Sequence, residues 1–293
     1  MNFPYKLGID IGSTTIKLII LDEHNHLIYK KYMRHFSEIY QSLHDNLILI
    51  ADILQNHKFT CAITGSAGMG MASNLNMPFV QEVIACSKAV KTWIPQTDVA
   101  VELGGEDAKI TYFGNAPEQR MNGVCAGGTG SFIDHMASLL NTDAKGLNEL
   151  AKEGTQIYTI ASRCGVFAKT DVQALLNDGV SKADIALSIF QAVVNQTIGN
   201  LAQGRPLEGN IVFLGGPLYF LDQLKIRFID TLKLTDEHTI NVNDGCYFVA
   251  MGAALADEAT EFTYEKLMYL LTNSKQSFAP TDSLNFTLCK NEQ

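Results

Sequence analysis

Gly8-Ile-Asp-Ile-Gly-Ser-Thr-Thr15 is the stretch of sequence that decides the fold. An apolar segment ends here in an acid, a Gly-Ser-Thr turn follows, and a second apolar segment occupies residues 16–21. Apolar runs on both sides of such a turn predict two paired β-strands. The same order returns about ninety residues later, around the turn Gly104-Gly-Glu-Asp107, and this repeat predicts a duplicated α/β unit.

The first predicted hairpin has the groups that bind a triphosphate. Gly12 allows backbone N–H groups to approach an anion closely. The three residues after it add hydroxyl donors: Ser13, Thr14 and Thr15. Lys17 offers a cation for the β- and γ-phosphate oxygens, and Asp10 at the strand end is suited to hold Mg²⁺ through water.

The second predicted hairpin differs from the first in its acids. Its turn contains Gly104 and Gly105, and the acids around them are Glu102, Glu106 and Asp107. Such acids can hold the hydration shell of a metal or orient an attacking water. A third glycine-rich element, Gly215-Gly216-Pro217 after an apolar strand, offers a flat surface for adenosine. One glycine-rich turn is usually only a turn, whereas three in this order predict a nucleotide site.

Helices are predicted between these strands. Apolar residues at helical spacing over 38–55 predict an amphipathic helix, and residues 82–93 predict another that Pro95 stops. Residues 183–202 have few charges and predict a long buried helix. The polar stretch 274–293 is weakly patterned and is interpreted as a tail or linker.

Composition indicates a compact protein. Of 293 residues, 46% are hydrophobic and 18% are charged, which excludes a disordered chain. The formal net charge of −9 repels phosphate backbones, so we expect no nucleic-acid partner and a nucleotide site built from local groups. The sequence shows no apolar run long enough for a bilayer and no signal-peptide pattern, so we expect no membrane association and a cytoplasmic location.

The cysteines form no Cys-x-x-Cys pair. Six are present: Cys61, Cys86, Cys125, Cys164, Cys246 and Cys289. In a reducing cytosol we expect thiols or metal ligands, and we interpret the first two and Cys246 as small buried hydrophobes. Cys125 and Cys164 differ because a glycine-rich segment follows Cys125, a glycine follows Cys164, and each precedes a predicted helix. This pair has three interpretations. The two cysteines are ligands of an iron–sulfur cluster shared between chains, ligands of a shared zinc ion, or unliganded thiols.

The three glycine-rich motifs resemble the phosphate-one, phosphate-two and adenosine motifs of the actin, sugar-kinase and heat-shock-chaperone superfamily. That resemblance implies an α/β fold of two RNase-H-like domains with ATP in the cleft between them. We expect a first domain over 1–96, completed by a returning helix at about 250–273, and a second domain over 97–249.

Two further segments are more specific: Asn122-Gly-Val-Cys-Ala-Gly-Gly-Thr-Gly-Ser-Phe132 and Ser162-Arg-Cys-Gly-Val-Phe-Ala168. They resemble the activators of 2-hydroxyacyl-CoA dehydratases and the ATPase subunits of benzoyl-CoA reductase. The resemblance implies a homodimer that shares one 4Fe-4S cluster, with Cys125 and Cys164 as ligands from each chain. Gly128 and Gly130 are assigned to cofactor binding.

The same resemblance implies a function. ATP hydrolysis to ADP, with Mg²⁺, would be coupled to one-electron transfer from a ferredoxin or flavodoxin to an acyl-CoA dehydratase or reductase component. The alternatives are a small-molecule, sugar-type kinase and a non-catalytic actin-like nucleotide-binding module.

The second hairpin departs from the pattern of the small activators. Those proteins have an Asp and a Gln where Glu102 and Glu106 stand here. An acid in place of a neutral amide changes how water is held near the γ-phosphate. This form of the motif is more similar to the first domain of long, multi-domain activases.

Overall fold

The computed structural model describes residues 4–122 and 127–274. Its ten strands are β1 (Tyr5–Ile11), β2 (Thr15–Asp22), β3 (Leu27–Arg34), β4 (Lys58–Thr64), β5 (Val99–Leu103), β6 (Ala108–Tyr112), β7 (Glu118–Met121), β8 (Ile211–Leu214), β9 (Thr239–Ile240) and β10 (Thr260–Thr263). The helices up to the middle of the described chain are α1 (Ile39–Leu49), α2 (Ala51–Leu54), α3 (Gly68–Asn74), α4 (Glu82–Trp93), α5 (Gly130–Leu139) and α6 (Ala144–Ala151). Those that follow are α7 (Gly165–Asn177), α8 (Lys182–Thr197), α9 (Gly216–Phe220), α10 (Asp222–Leu232), α11 (Phe248–Ala254) and α12 (Tyr264–Ser274).

Two five-stranded sheets have the same topology at their centres. The first sheet has the order β10-β4-β1-β2-β3, and the second has the order β9-β8-β5-β6-β7. In each, an antiparallel hairpin pairs through its first strand with a parallel neighbour, β4 or β8. The predicted duplication is therefore confirmed at the level of strand order and direction.

The end of the described chain returns to the first sheet. Strand β10 pairs antiparallel with β4, and α12 packs against α1. The equivalent edge strand of the second sheet, β9, pairs parallel with β8. In strand order and direction, the two sheets therefore differ only in the edge strand beside β4 or β8, which is antiparallel in the first sheet and parallel in the second.

Helices α4 and α11 lie between the two sheets. Their apolar side chains form one buried cluster with residues of the first sheet, such as Ile19, and of the second, such as Val212. The helices approach closely because Gly252 of α11 faces the backbone of Ala85, where a Cβ atom would clash. Two further clusters fill the outer faces, one for each sheet. We call the first sheet with its helices the first lobe and the second sheet with its helices the second lobe.

The long apolar helix predicted over 183–202 is observed with a change at its end. Helix α8 continues as a π-helical segment, Ile198–Ala202, which stops at the left-handed residue Gln203. Arg120 donates a hydrogen bond to the carbonyl of Ala202 at 2.6 Å. By length and composition Lys182–Ala202 can cross a membrane, but 72% of its apolar window is buried inside the protein, as in the core helix of a soluble domain.

Candidate functional site

The first hairpin forms a buried ion pair. Asp10 and Lys17 are cross-strand partners in β1 and β2, and Lys17 Nζ lies 3.0 Å from Asp10 Oδ2. Burial opposes the charged form of Lys17, but Asp10, Tyr32 and Glu102 together outweigh this effect and raise the pKa of the lysine. The turn is closed by Gly12, whose N–H donates to the Thr15 carbonyl at 2.9 Å.

The second hairpin repeats this arrangement in β5 and β6. Glu102 and Lys109 are the cross-strand partners, and the Gly104 N–H donates to the Asp107 carbonyl at 2.8 Å. Lys109 is only 2% exposed. Its Nζ lies 2.7 Å from Asp107 Oδ2 and 3.6 Å from Glu102 Oε1. Both lobes therefore present a hairpin with a buried lysine held by acids.

A further carboxylate reaches the second hairpin from the helix between the sheets. Glu82 is the first residue of α4, and its Oε2 lies 3.0 Å from Lys109 Nζ. Burial raises the pKa of Glu82 to about 7, and nearby acids add to the effect against the attraction of Lys109. Burial likewise raises the pKa of Glu102. Acids thus crowd this part of the cleft.

The charges around the first cavity leave a surplus of carboxylates. Two ammonium groups face four carboxylates around one cavity: Asp10, Glu82, Glu102 and Asp107. Asp10 Oδ1 is buried and has no hydrogen-bond partner among the described residues. Because an unpartnered carboxylate oxygen is costly to bury and Mg²⁺ keeps several of its waters, Asp10 fits a hydrated Mg²⁺ that accompanies a nucleotide.

Most of the sequence-predicted site residues line this cavity. They are Asp10, Gly12, Ser13, Thr15, Lys17, Glu102, Gly104, Gly105, Asp107, Gly215 and Gly216. Gly215 has a φ of 87°, and a Cβ atom there would clash with the Leu103 carbonyl, so only glycine keeps the third motif against the second hairpin.

A second, more open cavity adjoins the first at the mouth of the cleft. Thr14, Gly130 and Pro217 line it, together with Gly105 and Gly216. Its aromatic wall consists of Tyr32 and Phe220, whose ring centroids are 5.1 Å apart. Arg34 of β3 reaches Asp134 of α5 at 2.6 Å. The two lobes therefore meet over this cavity through side chains.

Two predicted site residues lie elsewhere. Glu106 is exposed in its turn and lines neither cavity, so nothing here supports its predicted catalytic role. Gly128 has a φ of 79° and faces the side chain of Gln196, away from both cavities. Their assigned roles stay predictions.

Sequence reasoning missed several residues of the cavity. They include Tyr32, Ser66, Glu82, Lys109 and Cys246. The sequence contains a signal for Lys109, because a lysine inside an apolar strand is unusual and this one lies directly opposite Glu102. The sequence contains no signal for Glu82, since its contact with Lys109 depends on how α4 packs between the sheets. Cys246 is buried as predicted, and burial raises its pKa to about 12.

The two cysteine segments meet within one chain. Cys125 lies outside the described residues. Gly127, two positions later, lies close to the backbone of the segment that carries Cys164. A Cβ atom at Gly127 would be 3.0 Å from the Ser162 carbonyl oxygen and 3.1 Å from the Arg163 carbonyl oxygen. Cys164 follows as the free, partly exposed N-cap residue of α7. The described residues contain no group of three or more metal-binding side chains.

Matching hairpins that close on a carboxylate-rich, glycine-lined cleft define a nucleotide-binding fold of the actin-like class. The particular family follows from comparison with known proteins. The chain belongs to the BadF/BadG/BcrA/BcrD ATPase family, whose model matches residues 7–256.

Relatives of this chain agree with that assignment. The (R)-2-hydroxyglutaryl-CoA dehydratase activating ATPase of Acidaminococcus fermentans is 31% identical over 219 residues, which are 72% of this chain and 82% of the relative. The crystal structure of component A of that dehydratase superposes with a TM-score of 0.71 and 26% identity, covering 90% of this chain and 98% of that one.

A second solved structure shares the fold. The activator of the 2-hydroxyisocaproyl-CoA dehydratase from Clostridium difficile, with bound ADPNP, superposes with a TM-score of 0.71 at 23% identity. The match covers 93% of this chain and 96% of the activator. The sequence-based resemblance to dehydratase activators and the predicted actin-like fold are both confirmed.

Proposed function

We propose that this chain hydrolyses Mg–ATP in the cleft between its lobes and thereby activates a 2-hydroxyacyl-CoA dehydratase-type enzyme by one-electron transfer. The observation that carries the nucleotide part is the pair of buried acid–lysine hairpins facing one cavity. The dehydratase activators named above support an acyl-CoA dehydratase as the partner, and the resemblance to benzoyl-CoA reductase subunits adds a reductase component.

Each part of the cleft has a role in this proposal. Lys17 and the hydroxyl-bearing turn of the first hairpin bind the phosphate oxygens, and Asp10 holds the magnesium hydration shell. Glu102 and Asp107 orient the attacking water from the opposite lobe. The second cavity, walled by Tyr32 and Phe220, offers an aromatic surface for adenosine.

Cys125 and Cys164 are the proposed ligands of a 4Fe-4S cluster shared by two copies of the chain. Cys164 fits this role because it is free, partly exposed and placed at the start of α7, where the positive end of the helix dipole faces an anionic cluster. When bound, the cluster would supply a single electron at low potential. A ferredoxin or flavodoxin is the proposed donor, and the cytoplasm the proposed location.

Coupling between cleft and cysteines has a physical route in the described residues. The N–H of Gly130 donates to the Gly104 carbonyl at 3.0 Å, and that of Ser131 donates to the Gly105 carbonyl at 2.7 Å. The start of α5 is therefore bonded to the second phosphate turn, while the segment just before it carries Cys125. Movement of this turn on nucleotide binding would move the cysteine segment with it.

The proposed division of the chain follows the two lobes. We keep residues 1–96 with the returning helix at about 250–273 as the first domain, 97–249 as the second, and 274–293 as a tail.

Anaerobic iron and sulfide analysis tests the cluster. Wild type should contain about two irons and two sulfides per chain, as expected for one cluster per dimer. Cys125→Ala and Cys164→Ala should lose both, and the control Cys61→Ala, in the buried strand β4, should keep them. Bound zinc in place of iron contradicts the electron-transfer function.

A nucleotide assay tests the other half of the proposal. Wild type should release inorganic phosphate from Mg–ATP without any sugar acceptor. Formation of a sugar phosphate would establish the kinase alternative, and nucleotide binding without hydrolysis would establish the non-catalytic module.

A further inference from the structure

The ammonium group of Lys109 has more carboxylate partners than its charge requires. Asp107 and Glu102 belong to the same hairpin and already surround it, at 2.7 and 3.6 Å. Glu82 adds a third carboxylate at 3.0 Å from a separate element. Asp107 and Glu82 lie within hydrogen-bond distance of the ammonium group, whereas Glu102 at 3.6 Å forms an ion pair only.

The third carboxylate costs the fold electrostatic energy. The side chain of Glu82 is 19% exposed, and its neighbours in the cavity include three other acids. With two lysines for four acids, removing the charge of Glu82 leaves every remaining lysine with an acidic partner. Stability therefore does not explain why an acid is placed here.

The position of Glu82 explains its presence better. It is the first residue of α4, the helix that packs between the sheets, whereas Lys109 belongs to the second lobe. The contact ties the second hairpin to the central helix at the point where Asp107 lines the nucleotide cavity. Because Glu82 holds the Lys109 ammonium group and that group contacts Asp107, the Asp107 side chain faces the cavity in one fixed orientation.

We propose that Glu82 is a positioning residue for ATP hydrolysis, which holds the Lys109 ammonium and through it fixes Asp107 beside the γ-phosphate position. This inference rests on the proposed ATPase function and deepens it. Glu82 forms no bond to the nucleotide in this proposal. It acts on the reaction through the Lys109–Asp107 pair.

The test is a steady-state comparison of variants in the full chain. Glu82→Gln keeps the shape and removes the charge. Its matched control is Glu265→Gln, since Glu265 also lies in the first turn of a helix, α12, but is exposed. We expect Glu82→Gln to lower kcat by about 10- to 100-fold, as for other supporting partners of a site. The KM for ATP should change by less than about threefold, because ground-state binding is kept.

A double-variant cycle shows whether Glu82 acts on the reaction through Asp107. If it does, Glu82→Gln should lower kcat much less in an Asp107→Asn background than in wild type, because the orientation of Asp107 no longer matters. Multiplicative effects of the two substitutions on kcat would overturn the proposal.

Thermal unfolding separates positioning from a structural role. Glu82→Gln should unfold at the temperature of wild type or above it, since a surplus buried acid is removed. A lower unfolding temperature with unchanged kcat per folded molecule would assign Glu82 to stability and overturn the proposal. A wild type that hydrolyses no ATP would overturn the proposed function itself, whereas an active wild type with a fully active Glu82→Gln would overturn this inference alone.

Discussion

The two hairpins of this protein share one backbone design and carry different chemistry. The same offset along the chain separates Asp10 from Glu102 and Lys17 from Lys109, and both pairs are cross-strand partners. Each turn is closed by an equivalent N–H to carbonyl hydrogen bond. In the first hairpin one lysine meets one acid, whereas in the second Lys109 meets three acids.

The difference shows how the two copies of a duplicated fold contribute different chemical groups to one site. The first turn carries hydroxyl groups and suits the binding of phosphate oxygens. The second turn and its surroundings carry surplus carboxylates, which suit a metal shell or a water molecule. The backbone was repeated, and the charge balance of each copy was set by a few side chains.

Replacing the lysines should show this asymmetry most strongly. Lys109→Met leaves three partly buried acids without a cation and should lower the free energy of unfolding by about 3–5 kcal/mol. Lys17→Met leaves only Asp10 unpaired and should cost less. Urea unfolding at pH 8 without nucleotide measures both, and equal losses would mean that the hairpins are electrostatically equivalent.

The pH dependence of stability should come mainly from Glu82, which reaches the second hairpin from α4. The folded pKa of Glu82 is about 7 against an ordinary 4.5, so the folded chain binds a proton that the unfolded chain releases. Stability should therefore fall as pH rises from about 5 to 8, by on the order of 2–3 kcal/mol for this group.

Denaturant melts over that pH range measure the effect. Glu82→Gln should have a shallower slope, with the remainder from Glu102, whose pKa is also raised. A slope in Glu82→Gln as steep as that of wild type would show that the proton binds elsewhere.

The smallest expected effect concerns the contact between the two turns. A Cβ atom at Gly105 would clash with the side chain of Thr14, whereas one at Gly12 would lie 3.5 Å or more from its neighbours. Gly105→Ala should therefore cost about 1–3 kcal/mol of stability as the cleft is forced open. Gly12→Ala should stay within about 1 kcal/mol of wild type. Calorimetric unfolding compares them, and similar losses would refute a closed cleft.

The local elements were predictable from the sequence, while some of their partners were not. The helix over 82–93 has the predicted bounds, because its apolar spacing and the following Pro95 are local signals. Glu106 was predicted beside Asp107 as a catalytic acid, yet it is exposed. Neighbouring turn residues point in different directions, and sequence does not show which of them faces the cleft.

The sequence by itself determined the two hairpins, their glycine-rich turns and the membership of an ATPase family, because alternation of apolar residues and turn chemistry act over a few residues. Only the tertiary structure decided that Glu82 joins Lys109, and that Tyr32 faces Gly216 across the cleft. Those contacts depend on how α4 packs between the sheets and how closely the lobes approach. Such distances are set by the packing of the whole core, and no local pattern encodes them.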